Sequence, residues 1–160
     1  MTIYNGLTTD QARHYQRGGA DAYGLKPEHV IAVGSCNPCR HCLKPVCEGQ
    51  GMLILAHRPF GALQPYAETG PIFLCAEACE GYSGNGVPEV LTLSPQYLIK
   101  AYTSDERILY GTGEVVAQAE VEIAIFARLN RADVAFVDVR SARNNCWLAR
   151  AYRDGGVAGS

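Results

Sequence analysis

The chain has no run of basic residues and no long apolar stretch, and each absence removes a class of function. Its 14 lysines and arginines are scattered among 16 acidic residues, for a formal charge of −2. That balance does not attract a polyanion, so no nucleic-acid partner is expected. A membrane span needs roughly 18 or more consecutive apolar residues. The longest candidate, residues 52–56, is far shorter, so no membrane role is expected. The opening Met1-Thr2-Ile3-Tyr4-Asn5-Gly6 lacks the basic stretch and apolar run of a secretory leader, and the expected compartment is the cytoplasm. A serine nucleophile elbow and a Walker loop are also missing, and Gly111-Thr112-Gly113 is too little to form a phosphate loop.

What is present describes an ordinary globular chain with an unusual cysteine content. With 160 residues, 48% of them apolar and 19% charged, one core is available without covalent staples. A single domain is expected over residues 1–153, with a flexible tail at 154–160. Seven cysteines cannot all pair within one chain. In a reducing compartment, a clustered set points to metal binding or redox chemistry before structural bridging.

Thr8 with Gln11 three residues later forms a capping box that opens a helix through Arg17, ended by Gly18-Gly19. Strands are expected at 29–33, 51–60, 72–74, 90–93, 97–103, 107–116, 134–140 and 146–153. Val121, Ala124, Ile125 and Leu129 give residues 117–129 the one strong helical stripe. Residues 34–51 show no periodicity and hold four cysteines; a loop of that length needs something to hold it. The expected fold is α+β: an antiparallel-rich mixed sheet, one main amphipathic helix and a long cysteine-rich loop.

Several motifs together carry a family resemblance: Asp21-Ala22-Tyr23-Gly24, Pro38-Cys39-Arg40-His41-Cys42-Leu43, Arg58-Pro59-Phe60, Pro65-Tyr66-Ala67-Glu68-Thr69-Gly70-Pro71-Ile72-Phe73 and Val139-Arg140-Ser141-Ala142-Arg143-Asn144-Asn145-Cys146. Over residues 21–153 the chain resembles the bacterial domain-of-unknown-function family 1203. The resemblance implies a standalone bacterial protein and no assigned activity. The family pattern tends to read His-Ala-Glu where this chain has Cys75-Ala76-Glu77. Because His and Cys exchange at zinc sites, the resemblance hints at a ligand at position 75.

Cys39 and Cys42 form a C-x-x-C knuckle, in which a tight turn aims two thiolates at one ion. It is half a zinc site. Cys75, Cys79, Cys146 and His41 are the candidates to complete it, with Cys36 and Cys47 also near in sequence. Zinc is the expected cofactor, structural if four thiolates bind it and hydrolytic if three bind it with Glu77 as catalytic base. Beside the plain packing of reduced, buried thiols, three other readings stay open. One is a thiol–disulfide pair, although no helix pattern follows Cys42 to stabilise a thiolate. Another is a small-molecule-binding module without metal. The third is a permuted deaminase-like hydrolase, since Pro38-Cys39-Arg40-His41-Cys42 and Cys75-Ala76-Glu77 are that chemistry's motifs in reversed order. Arg58, Arg140 and Arg143 form a possible second site for a carboxylate or phosphate, against a plainer pairing of Arg140 with Glu68 or Asp138. His14, His29 and His57 read as ordinary.

Overall fold

The computed structural model describes residues 1–155, so most of the expected tail (156–160) lies outside the described residues. The elements run β1 (Thr2–Asn5), α1 (Thr9–Gln16), β2 (Glu28–Ile31), β3 (Gly51–His57), β4 (Gly70–Cys75), β5 (Gln96–Tyr102), β6 (Glu114–Ala117), α2 (Val121–Leu129), β7 (Phe136–Ser141) and β8 (Trp147–Arg153). The α+β class is as the sequence implies, but the strands divide into two sheets. One has the order β1-β8-β7-β5-β6 and the other β2-β3-β4, and every strand pair in both is antiparallel.

α2 buries Val121, Ile125 and Leu129 against the large sheet. Each such side chain contributes roughly 1.5–3 kcal/mol on removal from water. The strand β7 is buried on both faces. Val137 and Val139 enter the core shared with α2, whereas Phe136 packs with Tyr102 and Phe60 on the other side. Fully buried Asp138 is held there by Arg150 at 2.7 and 3.0 Å, and the Arg150 guanidinium lies over the Phe136 ring at 3.8 Å. A charged pair is tolerable inside because both partners are satisfied: Arg150 also donates to the Pro59 carbonyl at 2.6 Å.

Two expected strands are corrected. Residues 90–93 belong to a 3₁₀ turn over Glu89–Thr92, entered from Pro88, with adjacent Val90 and Leu91 both buried. A four-residue apolar run cannot separate strand from helix by period alone. Residues 107–116 are not one strand: Ile108 bridges Tyr102 at the end of β5, the chain turns at Gly111, where φ is +88°, and pairing with β5 resumes at Glu114. The Thr112 hydroxyl accepts from the Ala101 amide at 3.1 Å, taking a donor that a continuous strand would have used. The short edge strand β1 had no signal in the sequence. Its pairing with β8 places Tyr4 in the core.

Candidate metal centre

The cysteine loop has its own scaffold. Pro38 and Pro45 form an antiparallel bridge, the Cys39 amide donates to the Lys44 carbonyl at 3.0 Å, and the Leu43 amide donates to the Cys39 carbonyl at 3.1 Å. This is a tight knuckle in which Leu43 takes φ +55°, a conformation that costs an L-residue roughly 1–2 kcal/mol. It is held because the Leu43 side chain is fully buried and its carbonyl accepts from Val90 at 3.1 Å. The knuckle then docks on β4: Cys39 bridges Phe73, and the Arg40 amide donates to the Phe73 carbonyl at 3.1 Å. The N-terminal segment crosses above it. A Cβ on Gly6 would fall 2.0 Å from the Arg40 carbonyl oxygen, so only glycine fits there.

β4 ends at Cys75, and the following turn brings Cys79 back to the knuckle. α1 fixes that turn. Arg13 donates to the Cys79 carbonyl at 2.9 Å, and the Gln16 amide donates to the Cys75 and Glu77 carbonyls, both at 2.9 Å. The capping box expected at Thr8 and Gln11 is formed, and it sets where this helix begins.

The outcome is a group of four sulfurs. The Sγ atoms of Cys39, Cys42, Cys75 and Cys79 all lie within 4.8 Å of one another, with Cys39 to Cys79 at 3.9 Å. All seven cysteines are free. The sulfurs are supported by N–H donors: the Cys75 amide reaches Cys39 Sγ at 3.4 Å and His41 Nδ1 reaches Cys79 Sγ at 3.2 Å. Thr9 Oγ1 lies 3.0 Å from His41 Nε2 and can donate to it, the tautomer that leaves the Nδ1–H for sulfur. Burial pushes the His41 imidazole below its ordinary value, consistent with a neutral ring. Four neighbouring thiolates repel, so on their own they do not all ionise: Cys39 and Cys42 are held below the usual thiol range, and Cys75 and Cys79 above it. Hydrogen bonds from the Cys42, Cys75 and Cys79 thiols hold Cys39 far below the usual thiol range. Contacts with Cys39 and then Cys42 push Cys75 and Cys79 up. A divalent cation at the centre reverses that repulsion.

The other candidates lie elsewhere. His41 supports a sulfur from beside the group of four. Cys146 is outside it: its thiol contacts the Asn144 carbonyl at 3.7 Å. Cys36 and Cys47 are exposed and also outside the group. Glu77 has an exposed side chain, and its hydrogen bond is made by its backbone carbonyl. Arg58, Arg140 and Arg143 line no common cavity. Arg140 pairs with Glu68 at 3.1 Å and lines a cavity of about 200 Å³, Arg143 lines a neighbouring cavity of about 410 Å³, and Arg58 lines neither. His57 is not ordinary: it is buried, bonded to Tyr15 Oη at 3.1 Å, and depressed to about 4, chiefly by burial. Sequence reading also missed Thr9, Arg13 and Gln16, whose spacing of four and three places them along one helical face.

Arg40, inside the knuckle, links the sulfur centre to the larger cavity that it lines. It is only 3% exposed, donates to the Trp147 and Pro38 carbonyls (both 2.7 Å), and is lowered to about 10 by burial. Among the described residues it has no carboxylate partner within 4.0 Å.

Comparison with the curated proteins and with the solved structures gives no match. The family model described as "Protein of unknown function (DUF1203)" matches residues 36–153, a span that contains the knuckle, all four clustered sulfurs and the Arg140–Cys146 turn, and the chain belongs to that family.

Proposed function

We propose that the chain is a zinc-binding domain in which Cys39, Cys42, Cys75 and Cys79 hold one structural Zn²⁺. The observation that carries this reading is the sulfur geometry. Zinc bound at about 2.3 Å by four thiolates has sulfur–sulfur edges of about 3.8 Å. The Cys39–Cys79 separation of 3.9 Å fits that edge, and the outer bound of 4.8 Å leaves only a small contraction for the rest. A zinc tetrathiolate carries a net charge of −2. The Arg13 and Arg40 guanidiniums, the Cys75 amide and His41 supply positive charge and donors around it.

In this reading the metal ties the knuckle to the end of β4 and thereby fixes Arg40 beneath Trp147. Four thiolates complete the tetrahedron and leave no position for a reactive water. The hydrolytic alternative with Glu77 as base would require one sulfur to leave. The test is elemental analysis of protein purified without added metal, with thiol titration before and after chelation. One zinc per chain is expected, together with four thiols that react only after the metal is removed. Metal-free protein that folds identically would overturn the reading, and iron in its place would overturn the metal's identity.

A further inference from the structure

The last hairpin is irregular where it meets the small sheet. A bulge between Val139 and Arg140 places Arg140 opposite Trp147, and Asn145 in the connecting turn takes φ +58°. Bulges of this kind re-aim side chains and often sit beside binding sites. Here the bulge turns two donors toward one cavity, that of about 200 Å³, whose walls include His57, Glu68, Thr69, Asn144, Arg140 and Trp147.

Those donors are poorly satisfied. Arg140 is 4% exposed, and its Nη1 serves both the Asn145 carbonyl at 3.0 Å and Glu68 at 3.1 Å. Its Nε and Nη2 are buried without a partner, as is the Trp147 indole nitrogen. The buried Tyr102 hydroxyl beside Arg140 can accept from one of the two N–H groups of Nη2, which still leaves the other, the Nε–H and the Trp147 N–H. An unmatched buried donor costs about 1–3 kcal/mol, and native proteins carry few. Charge is unbalanced in the same direction: Glu68, itself 39% exposed, is shared between Arg140 and Lys100.

We infer that this cavity binds the carboxylate of a small organic acid, with the acid's apolar body in the adjoining cavity. The open edge of Arg140, Nε with Nη2, is the side-on pair that matches a planar carboxylate in two parallel hydrogen bonds. The Trp147 N–H is a third donor from the neighbouring strand. The body's space is the cavity of about 410 Å³, which shares Pro71, Ile72, Asn144 and Cys146 with the smaller one. Phe73, Val90, Leu93, Tyr97 and Leu148 make its wall largely apolar. Its size is within the range of small-molecule pockets, whose walls are mainly apolar with a few placed polar groups. The donors are shielded from solvent, so the acid must reach them past the exposed turn residues 143–145. Phosphate is the poorer match, because it would bring more charge to a single guanidinium.

Trp147 is the chain's single tryptophan, so its fluorescence reports directly on the site. The experiment titrates the full zinc-loaded chain with 3-phenylpropanoate, its neutral amide and inorganic phosphate, following Trp147 emission and calorimetric heat. The acid is expected to change the emission saturably and to bind at least about tenfold more tightly than the amide, as loss of a charge-assisted hydrogen bond implies. Arg140→Met should remove that preference. Should this variant not fold, Trp147→Phe followed by calorimetry is expected to weaken the acid by about tenfold while leaving the amide unchanged. Equal affinity for acid and amide, tighter binding of phosphate, or no saturable response to the acid would each overturn the proposal.

Discussion

The sulfur centre and the Arg140 cavity are opposites in charge. One gathers four groups that gain by giving up protons to a cation, and the other gathers buried donors that gain by meeting an anion. They also differ in construction. The sulfurs sit on a knuckle with its own backbone bonds and on a turn clamped by α1, so the polypeptide specifies the centre locally, twice. The cavity has no such module. Its walls come from the end of β3, the stretch leading into β4 and the last hairpin, and they meet only because the two sheets pack. The contrast separates a centre that neighbouring residues specify from one that the fold assembles and leaves partly unsatisfied.

The largest expected effect tests the first half of that contrast. Cys79→Ser should abolish zinc retention and lower the melting temperature by more than about 10 °C, since structural zinc contributes well over the ~3 kcal/mol which that shift represents. Metal content and a thermal melt followed by circular dichroism check it.

His57 tests the cavity side. Its pKa is about 4 in the fold against an ordinary 6.5, lowered by burial first and then by the Arg150, Arg40 and Arg58 charges. The unfolded chain therefore binds a proton that the folded chain resists. The stability from the neutral ring is complete above pH 6.5 and is lost as pH falls toward 4, reaching roughly 2 kcal/mol by pH 5. Urea unfolding at pH 7.5 and pH 5 should show this loss, and His57→Gln should reduce it.

Gly6→Ala is expected to cost about 1–3 kcal/mol, the usual price of overpacking, because its methyl would strike the Arg40 carbonyl. A shift in the denaturation midpoint at unchanged slope is the measure. Smallest of all, Cys146→Ser should leave one zinc per chain and shift the melting temperature by no more than about 2 °C, because its thiol lies outside the cluster. Loss of metal from this variant would merge the two regions that the structure keeps apart.

Half of the sulfur centre was legible before folding was considered. C-x-x-C is a local geometry, and residues 39 and 42 face one point because the turn between them is tight. Cys75 and Cys79 could be named only as two candidates among several, because nothing local distinguishes them from Cys146. Their selection depends on β4 pairing with β3 and on α1 holding the turn after β4. The two helices and most strands were readable from capping and periodicity. β1 and the 3₁₀ turn at Glu89–Thr92 were not, since four residues carry too little periodic signal to separate one conformation from another.

Arg140 was visible as a residue of interest, but not as a poorly satisfied one. Whether a guanidinium is fully partnered depends on which carbonyls and carboxylates the other strands deliver, and that information is not local. The sequence alone determined the α+β class, the capped first helix, the amphipathic second helix and the dithiol turn, all written in patterns a few residues long. The tertiary structure decided which four sulfurs meet, that the strands form two sheets, and that Arg140 and Trp147 line one cavity. The physical reason is range: a hydrogen bond or a hydrophobic stripe is set by neighbours in the chain, whereas a ligand sphere is set by segments that only folding brings together.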